Sequence, residues 1–360
     1  YLRVEDLSVS FPTRDGLVKA VSGLNYSVEL GKTLGIVGES GSGKSVSSMA
    51  VMGLHDPKRT NISGSIQLDE TEVVGLPEPR MRRLRGNAAA MIFQDPLSAL
   101  HPFFTIGAQI TEAYRTHNPD ASKRQAKAKA IEMLERVGIP QPNRRVDDFP
   151  HQFSGGMRQR AMIAMALGND PKLLIADEPT TALDVTVQAQ ILDLLQELQR
   201  DFGSAIIIIT HDLGVVAEMA DEVLVMYGGR CVEYGAGKEI LTHPEMPYTW
   251  GLLNSVPDLN GDVDAELNPI PGAPPSLLNL PQGCAFSPRC AYKHLVPGDA
   301  CDTQLPELTP GGRGPSHLKR CHLRDAEGAL RGEEPKPPTE LEDAALDAHD
   351  DEAEEKNDNG

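Results

Sequence analysis

The octapeptide at residues 38–45 limits what this chain can fold into more than any other stretch. It reads G-E-S-G-S-G-K-S, which is the G-x-x-x-x-G-K-S pattern of a phosphate-binding loop. The apolar run at 33–37 is typical of a buried strand, and residues 46–54 mix small and apolar side chains as a helix packed on a sheet would. Strand, loop and helix in this order predict an α/β fold with an anion site where the helix begins.

The glycines of this loop let successive backbone N–H groups face one phosphate. Lys44 is placed to reach the β- and γ-phosphates, and the Ser45 hydroxyl is placed to hold Mg²⁺. The alternative is a Gly/Ser-rich turn that carries a lysine by chance, and the flanking strand and helix make that interpretation the weaker one. The loop residues predicted to bind nucleotide are Gly38, Glu39, Ser40, Gly41, Ser42, Gly43, Lys44 and Ser45.

The chain has 360 residues, enough for two domains or for one large domain with appendages. Its net charge is −18, but twelve acidic residues against two lysines place −10 of that charge in residues 333–360. That segment has few apolar residues to bury, so we expect it to be disordered. No basic stripe runs through the rest of the chain, and a nucleic-acid partner is therefore not expected.

No apolar run approaches the roughly 18 residues that a membrane span needs, and no signal-peptide pattern is present. The first residue is Tyr1 rather than Met, so we expect that a few residues precede it. Without a secretory signal, the five cysteines favour reduced thiols or metal ligands over disulfides. Cys231 lies in an apolar hairpin pattern and is expected to be an inert buried thiol.

Alternating polar and apolar residues predict strands at 2–11 and 18–30, joined by a turn at 13–16. A further alternating run at 61–74 predicts a hairpin at a sheet edge. Phe11 is the candidate for stacking on an adenine ring. Its spacing fits an ordinary core phenylalanine equally well.

Gln94 ends a short apolar run, which Pro96 then breaks. A side-chain amide at a strand end can ligate Mg²⁺ and orient a water, although a single glutamine is a weak signal. Residues 106–137 carry apolar side chains at helical spacing, and prolines mark a loop up to residue 150. We interpret this block as a helical insertion between two β/α segments.

Ser154 is followed by two glycines and then by a helical pattern that runs to Leu167. A serine N-cap at an exposed helix start makes a second anion site. The alternative is a cap without any ligand, and the short motif taken alone favours that alternative.

Two further apolar runs end in polar side chains, as parallel strands do at their carboxyl ends in doubly wound sheets. One run ends in Asp177 and Glu178, and the other in His211. Asp177 is placed to hold Mg²⁺ through its water shell, and Glu178 is expected to point toward the phosphates. The alternatives are a solvated turn for the two acids and a structural role for the histidine.

Taken together, residues 1–240 resemble the nucleotide-binding subunit of an ABC transporter. The motifs stand in the family's order: Walker A at 38–45, the Q-loop at Gln94, the signature at 153–157, Walker B at 173–178, the D-loop at 182–184 and the switch histidine at His211. Met157 replaces the commoner glutamine of the signature, a change that we do not expect to abolish function. The resemblance implies a parallel sheet, an antiparallel β layer and a helical subdomain at about 95–150.

This resemblance also implies a role for each motif. Two ATPase subunits dock head to tail and enclose ATP between them, and the helical subdomain meets the membrane subunits near Gln94. The residues with an implied catalytic role are Glu178, His211 and Gln94. Ser45 and Gln94 are implied to bind Mg²⁺, with Asp177 beside them. Ser154, Gly155 and Gly156 are implied to contact the ATP that the partner subunit holds.

Residues 243–257 are similar to a stretch that follows the core in ATPases of oligopeptide and dipeptide importers, and the similarity continues to about His322. It implies an ATPase at the cytoplasmic face of a prokaryotic cell membrane. The implied partners are a second ATPase subunit of different sequence, two transmembrane permease subunits and an extracytoplasmic solute-binding protein. The expected domains are a nucleotide-binding domain at 1–240, a C-terminal domain at 241–325 and an acidic tail at 326–360.

Other functions remain as alternatives. An importer for nickel or another small solute shares the C-terminal motif. A soluble ABC protein of translation or DNA repair is disfavoured, because the chain has one Walker A motif and no long heptad run. The retained Glu178 and His211 disfavour a pseudo-ATPase.

Four cysteines crowd the C-terminal part of the chain, with five, ten and nineteen residues between them. The spacing matches neither the closely spaced cysteine pairs of zinc sites nor the cysteine motifs of ferredoxins. By itself it therefore favours neither a metal site nor four unliganded thiols. The resemblance implies a [4Fe–4S] cluster, and zinc is the alternative, with His294, His317 or His322 as replacement ligands. The predicted cluster ligands are Cys284, Cys290, Cys301 and Cys321.

Overall fold

The computed structural model describes residues 1–181, 183–255, 269–312, 314–323 and 326–332. The acidic segment 333–360, for which we predicted disorder, lies outside the described residues. Ala182 of the predicted D-loop and the end of the stretch at 243–257 also lie outside them. No described helix combines the length and the apolar character that crossing a membrane requires.

The described secondary structure alternates between strands and helices through most of the chain. The strands are β1 (Leu2–Thr13), β2 (Gly16–Val28), β3 (Thr33–Val37), β4 (Asn61–Leu68), β5 (Thr71–Glu72), β6 (Ala89–Ile92), β7 (Leu173–Asp177), β8 (Ala205–Thr210), β9 (Glu222–Tyr227), β10 (Arg230–Ala236), β11 (Thr309–Gly311) and β12 (Gly314–Lys319). The helices are α1 (Lys44–Val51), α2 (Glu78–Leu84), α3 (Pro96–Ala99), α4 (Ile106–His117), α5 (Lys123–Arg136), α6 (Pro142–Arg145), α7 (Gly155–Leu167), α8 (Val185–Phe202), α9 (Leu213–Met219), α10 (Gly237–Thr242), α11 (Pro247–Asn254), α12 (Ala300–Thr303) and α13 (Ala326–Gly332).

The larger sheet has eight strands in the order β11-β12-β10-β9-β3-β8-β7-β6. Strands β9, β3, β8, β7 and β6 run parallel to one another, whereas β10 pairs antiparallel with β9. Every residue of β3, β6, β7 and β8 is buried, as expected for apolar strands covered on both faces. The predicted α/β fold with a parallel sheet is confirmed.

The smaller sheet is antiparallel, with the order β2-β1-β4-β5. It forms the predicted β layer, and the hairpin of β4 and β5 lies at its edge, as predicted. Its apolar side chains form one hydrophobic core with α1 and with one face of the parallel sheet. Members of this core include Leu7, Leu24, Ile36 and Val51. The strand that leads into the phosphate loop is thereby fixed between two layers.

The predicted helical block contains α4 and α5, which pack against α7. Thr105 caps α4, and Ser122 caps α5 in a capping box with Gln125. These helices form a second core cluster with α8 and the opposite face of the parallel sheet. The helical subdomain predicted from spacing is therefore present between β6 and β7.

The C-terminal part of the chain packs directly on the larger sheet. Strand β12 pairs antiparallel with β10, and β11 pairs with β12. Tyr227, Tyr248 and Phe286 pack together with ring centroids 4.4 to 5.4 Å apart. They share a third core cluster with Val37, the last residue of β3. Residues far apart in the sequence thus lie next to the end of β3, where the phosphate loop begins. The proposed domain boundaries stay predictions.

Candidate nucleotide site

The loop after β3 follows a path that only glycine permits at two of its positions. Gly38 has φ 150° and Gly43 has φ 102°. A Cβ on Gly38 would lie 2.2 Å from the carbonyl oxygen of Met226, and a Cβ on Gly43 would lie 2.3 Å from that of Ala20. Because β9 and β2 approach the loop so closely, the backbone can curl around an anion at the start of α1.

Lys44 is the first residue of α1 and is 5% exposed. Its Nζ donates hydrogen bonds to the carbonyl oxygens of Gly38, at 2.5 Å, and Glu39, at 3.0 Å. Burial lowers the pKa of Lys44, while the carboxylates of Glu178, Asp177 and Glu39 act in the opposite direction. The ammonium is therefore held inside the loop, where it would face a bound phosphate.

Ser45 and Asp177 meet at the predicted Mg²⁺ site. The Ser45 hydroxyl donates to Asp177 Oδ1 at 3.0 Å, which links α1 to the end of β7. Burial raises the pKa of Asp177 and the charge of Glu178 adds to this effect, while the Ser45 hydrogen bond and the charge of Lys44 oppose it. A hydroxyl and a carboxylate are hard oxygen donors, so this pair fits the ligand chemistry of Mg²⁺.

Glu178 has the backbone conformation of a residue under strain. It is not a glycine, yet its φ is 47°, and its N–H donates to the carbonyl oxygen of Ile209 at 2.8 Å. Such left-handed conformations cost energy and persist where the surrounding structure enforces them. Here the enforcing bond comes from β8, the neighbouring strand.

Three side chains surround the Glu178 carboxylate. Gln94 Nε2 donates to Oε2 at 2.8 Å, and the Thr181 hydroxyl donates to the same oxygen at 2.9 Å. His211 Nδ1 lies 3.4 Å from Oε1. Gln94 follows β6 and His211 follows β8, so the carboxyl ends of three adjacent parallel strands meet at this carboxylate. Such a carboxylate can orient or deprotonate a water.

Two other predicted contacts lie on different parts of the fold. Ser154 caps α7, accepting a hydrogen bond from the N–H of Met157 at 3.3 Å, and α7 belongs to the helical core cluster rather than to that of α1. Phe11 lies on β1, and its ring meets His55 edge-on at 5.6 Å. The roles of both residues stay predictions, as do those of Gly155 and Gly156.

The matching family model is described as "ABC transporter" and covers residues 21–181. A second model, described as the C-terminal region of oligopeptide/dipeptide transporters, covers residues 232–295. The chain is 54% identical to the oligopeptide transport ATP-binding protein OppD of Bacillus subtilis, over 81% of this chain and 81% of that protein. The chain belongs to the ABC transporter ATP-binding proteins.

Two further relatives extend this result. This ABC protein is 50% identical to the dipeptide transport ATP-binding protein DppD of Bacillus subtilis, over 90% of this chain and 95% of that protein. It is 53% identical to OppD of Mycobacterium tuberculosis over 85% of this chain but only 49% of that protein. The chain therefore spans about half the length of the mycobacterial relative that it matches.

Solved ABC cassettes have the same fold. A dimeric ATP-binding cassette in a post-hydrolysis state with ADP and phosphate aligns with a TM-score of 0.60 at 24% identity, over 66% of this chain and 98% of that one. The Clostridium perfringens cassette cbiO1, part of an ABC transporter complex, aligns with a TM-score of 0.56 at 30% identity, over 66% and 89%. The ABC cassette fold of this chain is thereby confirmed.

The four C-terminal cysteines of this ABC protein share one neighbourhood. The Cys284 N–H donates to the Cys301 carbonyl oxygen at 2.8 Å, while Cys290 and Cys321 lie where two core clusters meet. Burial raises the pKa of all four thiols, to about 12 for Cys290 and about 11 for Cys321. None of the five cysteines is in a disulfide. Sulfur donors are the ligand type of zinc and iron–sulfur sites, but the raised pKa values favour the neutral thiols over the thiolates that bind a metal.

The side-chain positions do not by themselves form such a site. Within the described ranges, no three His, Cys, Asp or Glu side chains converge into a group that could hold a metal ion. The three histidines named above as alternative zinc ligands have other contacts. His294 contacts the carbonyl oxygen of Ala291, and His322 contacts that of Gln304. His317 contacts the carboxylate of Glu233. Cys231 is buried, and its pKa is raised to about 12, as befits an inert thiol.

Two contacts of Glu39 in the phosphate loop were not predicted. The carboxylate of Glu39 pairs with Arg289, and its N–H donates to the Tyr248 hydroxyl at 2.8 Å, while its contact with nucleotide stays a prediction. Thr181 was likewise missed as a partner of Glu178. No pattern in the sequence indicates these three contacts, because each depends on how distant or irregular segments fold back on the site.

Proposed function

We propose that this chain binds and hydrolyses ATP to power the import of oligopeptides or dipeptides through a membrane ABC transporter. The observation that carries the ATPase half is the Glu178 carboxylate, held by Gln94 and His211 beside the Ser45–Asp177 pair. The transport half is supported by the C-terminal model at 232–295 and by the named peptide-transport relatives.

In the proposed mechanism the protein mainly positions groups and neutralises charge. Lys44 and the loop N–H groups stabilise negative charge on the phosphoryl group. Glu178 orients or deprotonates the attacking water, and His211 contacts the γ-phosphate. Ser45 and Gln94, with Asp177, would hold Mg²⁺, which neutralises the phosphate charge when bound. Phe11 would stack on the adenine ring.

The proposed partners follow from the same family. Ser154, Gly155 and Gly156 at the exposed start of α7 would contact ATP held by a second ATPase subunit, which we infer to be a different chain. Two transmembrane permease subunits would meet the helical block at 95–150, and an extracytoplasmic solute-binding protein would deliver the peptide. The assembly places this chain at the cytoplasmic face of a prokaryotic membrane. We retain 1–240, 241–325 and 326–360 as the proposed domain division.

We further propose that Cys284, Cys290, Cys301 and Cys321 bind a [4Fe–4S] cluster as a structural cross-link. Support comes from the four thiol donors and from their shared neighbourhood. Anaerobically purified protein should be brown, with iron and acid-labile sulfide each near four per chain. Colourless protein with stoichiometric zinc would support the zinc alternative. Stable, active protein without metal would show that the four cysteines are reduced thiols that bind no metal.

Transport is tested with the complete complex reconstituted in proteoliposomes with its solute-binding protein. Labelled di- and oligopeptides should accumulate only when ATP is present on the side of this chain, and the Glu178→Gln complex should not transport. The matched control is Glu197→Gln on the exposed face of α8, which should transport like the wild type. ATP-driven uptake of Ni²⁺ without peptide uptake would instead support the small-solute branch.

A further inference from the structure

Arg289 lies in the C-terminal part of the chain, 250 residues from the phosphate loop in sequence, yet it pairs with the loop's second residue. Its Nη1 donates to Glu39 Oε2 at 2.7 Å and its Nη2 donates to Oε1 at 3.0 Å. This is a bidentate pair between a guanidinium and a carboxylate, the strongest geometry for such charges. The Arg289 side chain is only 5% exposed, so solvent screens the pair weakly.

The other donors of Arg289 fix the guanidinium in place. Nε donates to the carbonyl oxygen of Pro271 at 2.7 Å, and Nη2 donates to that of Ile270 at 3.2 Å. Nη1 also donates to the Tyr227 hydroxyl at 3.2 Å. A guanidinium whose donors are directed at fixed acceptors is preorganised. It can therefore determine where the Glu39 carboxylate lies.

The C-terminal part contacts the backbone of Glu39 as well as its side chain. The Glu39 N–H donates to the hydroxyl of Tyr248, which is fully buried against Tyr227 and Phe286. The Arg289 guanidinium carbon lies 5.9 Å from the Tyr227 ring centroid and 6.0 Å from that of Phe286. The rings of Tyr227, Tyr248 and Phe286 and the Arg289 guanidinium thus pack together next to Glu39 of the phosphate loop.

The pair with Arg289 has two consequences for a phosphate at the loop. First, Glu39 brings a negative charge next to the place where an anion must bind, and an unpaired carboxylate there would repel it. Second, the Glu39 carbonyl accepts a hydrogen bond from Lys44 Nζ at 3.0 Å. Displacing Glu39 would therefore also displace the lysine that faces the phosphates.

We propose that Arg289 is a positioning residue for ATP: it neutralises Glu39 and fixes the phosphate loop, so that nucleotide affinity depends on the folded C-terminal part. The inference rests on the proposed function, because it assumes that this loop binds the ATP that is hydrolysed. Arg289 acts through Glu39 and does not touch the nucleotide. Its loss should therefore weaken ATP binding more than it slows turnover at saturating ATP.

The test measures ATP hydrolysis by the assembled transporter as a function of ATP concentration. For Arg289→Gln we expect a KM for ATP raised about tenfold with kcat within about twofold of wild type. Arg289→Lys should fall between the two, because a lysine keeps the charge but not the bidentate geometry. The matched control is Lys319→Gln, which removes a similarly buried cation that pairs with Glu245 and not with a residue of the phosphate loop. Its KM should stay at the wild-type value.

A second substitution separates the charge effect from general loss of structure. Glu39→Gln combined with Arg289→Gln leaves two neutral side chains that can still hydrogen-bond, so its KM should return toward the wild-type value from that of Arg289→Gln alone. Equal KM values for Arg289→Gln and Lys319→Gln would overturn the inference, as would a double variant no better than the single one. A wild-type complex that does not hydrolyse ATP would refute the proposed function instead.

Discussion

The Gln94 amide donates to the Glu178 carboxylate at 2.8 Å, across the ends of two adjacent parallel strands. This bond joins the start of the helical block to the strand that carries the proposed catalytic carboxylate. Movement of the block near Gln94 would therefore displace the oxygen that we propose orients water. Since the same block is the proposed contact with the permeases, the hydrogen bond would link their position to the proposed hydrolysis.

Glu178→Gln tests the proposed general base. The amide has almost the same size, so nucleotide should still bind, but it cannot accept a proton. We expect kcat to fall about 10²- to 10³-fold while ATP affinity stays near the wild-type value. Hydrolysis and nucleotide binding by the assembled complex measure the two effects separately. Hydrolysis near the wild-type rate would show that another group activates the water.

Gly38→Ala tests whether the loop path is fixed by its close approach to β9. The added Cβ would lie 2.2 Å from the carbonyl oxygen of Met226, so the loop must move away from its place. We expect ATP binding to be lost while the remainder of the chain stays folded.

The control for this change is Gly31→Ala. Gly31 also has a positive φ, 74°, but its added Cβ would meet nothing within 4 Å. Gly31→Ala carries only the strain of a left-handed alanine, roughly 1 kcal/mol, whereas Gly38→Ala combines a less favourable φ, 150°, with the clash. Normal ATP binding by Gly38→Ala, measured by calorimetry, would contradict the proposed role of this glycine.

The elements around the site were predictable from the sequence because parallel strands impose a simple rule. A polar residue directly after a buried apolar run lies at the carboxyl edge of the sheet, so Gln94, Asp177, Glu178 and His211 could be grouped before their contacts were known. Their order around the site follows from the strand order β3-β8-β7-β6, which the sequence does not give directly.

What could not be predicted depends on pairing between distant segments. The contact of Arg289 with Glu39 joins residues 250 positions apart, and no periodicity marks it. The addition of β12 to the larger sheet depends on a two-residue register with β10. The positive φ of Glu178 arises from a hydrogen bond to β8, so it is a property of the folded sheet and not of the local sequence.

Dependence on a partner tests the role of the signature. If Ser154 completes an ATP site on a second subunit, the isolated chain lacks half of each site. We expect ATPase activity to fall steeply on dilution and to recover when the second ATPase subunit is added. Full activity in a preparation that light scattering shows to be monomeric during turnover would refute the head-to-tail arrangement.

A buried charge cluster joins β12 to β10. His317 and Glu233 are both inaccessible to solvent, and His317 Nε2 lies 2.8 Å from Glu233 Oε1. Lys319 Nζ lies 3.0 Å from Glu245 Oε2, and the Glu245 N–H donates to Glu233 Oε1. Burial acts to lower the pKa of His317, but the hydrogen bond and charge of Glu233, with the charges of Glu245 and Glu239, outweigh it and raise the pKa.

This cluster should make the stability of the C-terminal part depend on pH. Because the pKa of His317 is raised on folding, the protonated imidazole stabilises the folded state fully below the unfolded pKa, about 6.5. That contribution is lost as the pH rises through the folded pKa. We expect the Tm to decline over this interval in the wild type and the decline to be smaller in His317→Gln. His243→Gln is the control, since His243 lies outside this cluster and contacts the Thr242 hydroxyl. Identical pH profiles of Tm for wild type and His317→Gln would show that His317 does not titrate with folding.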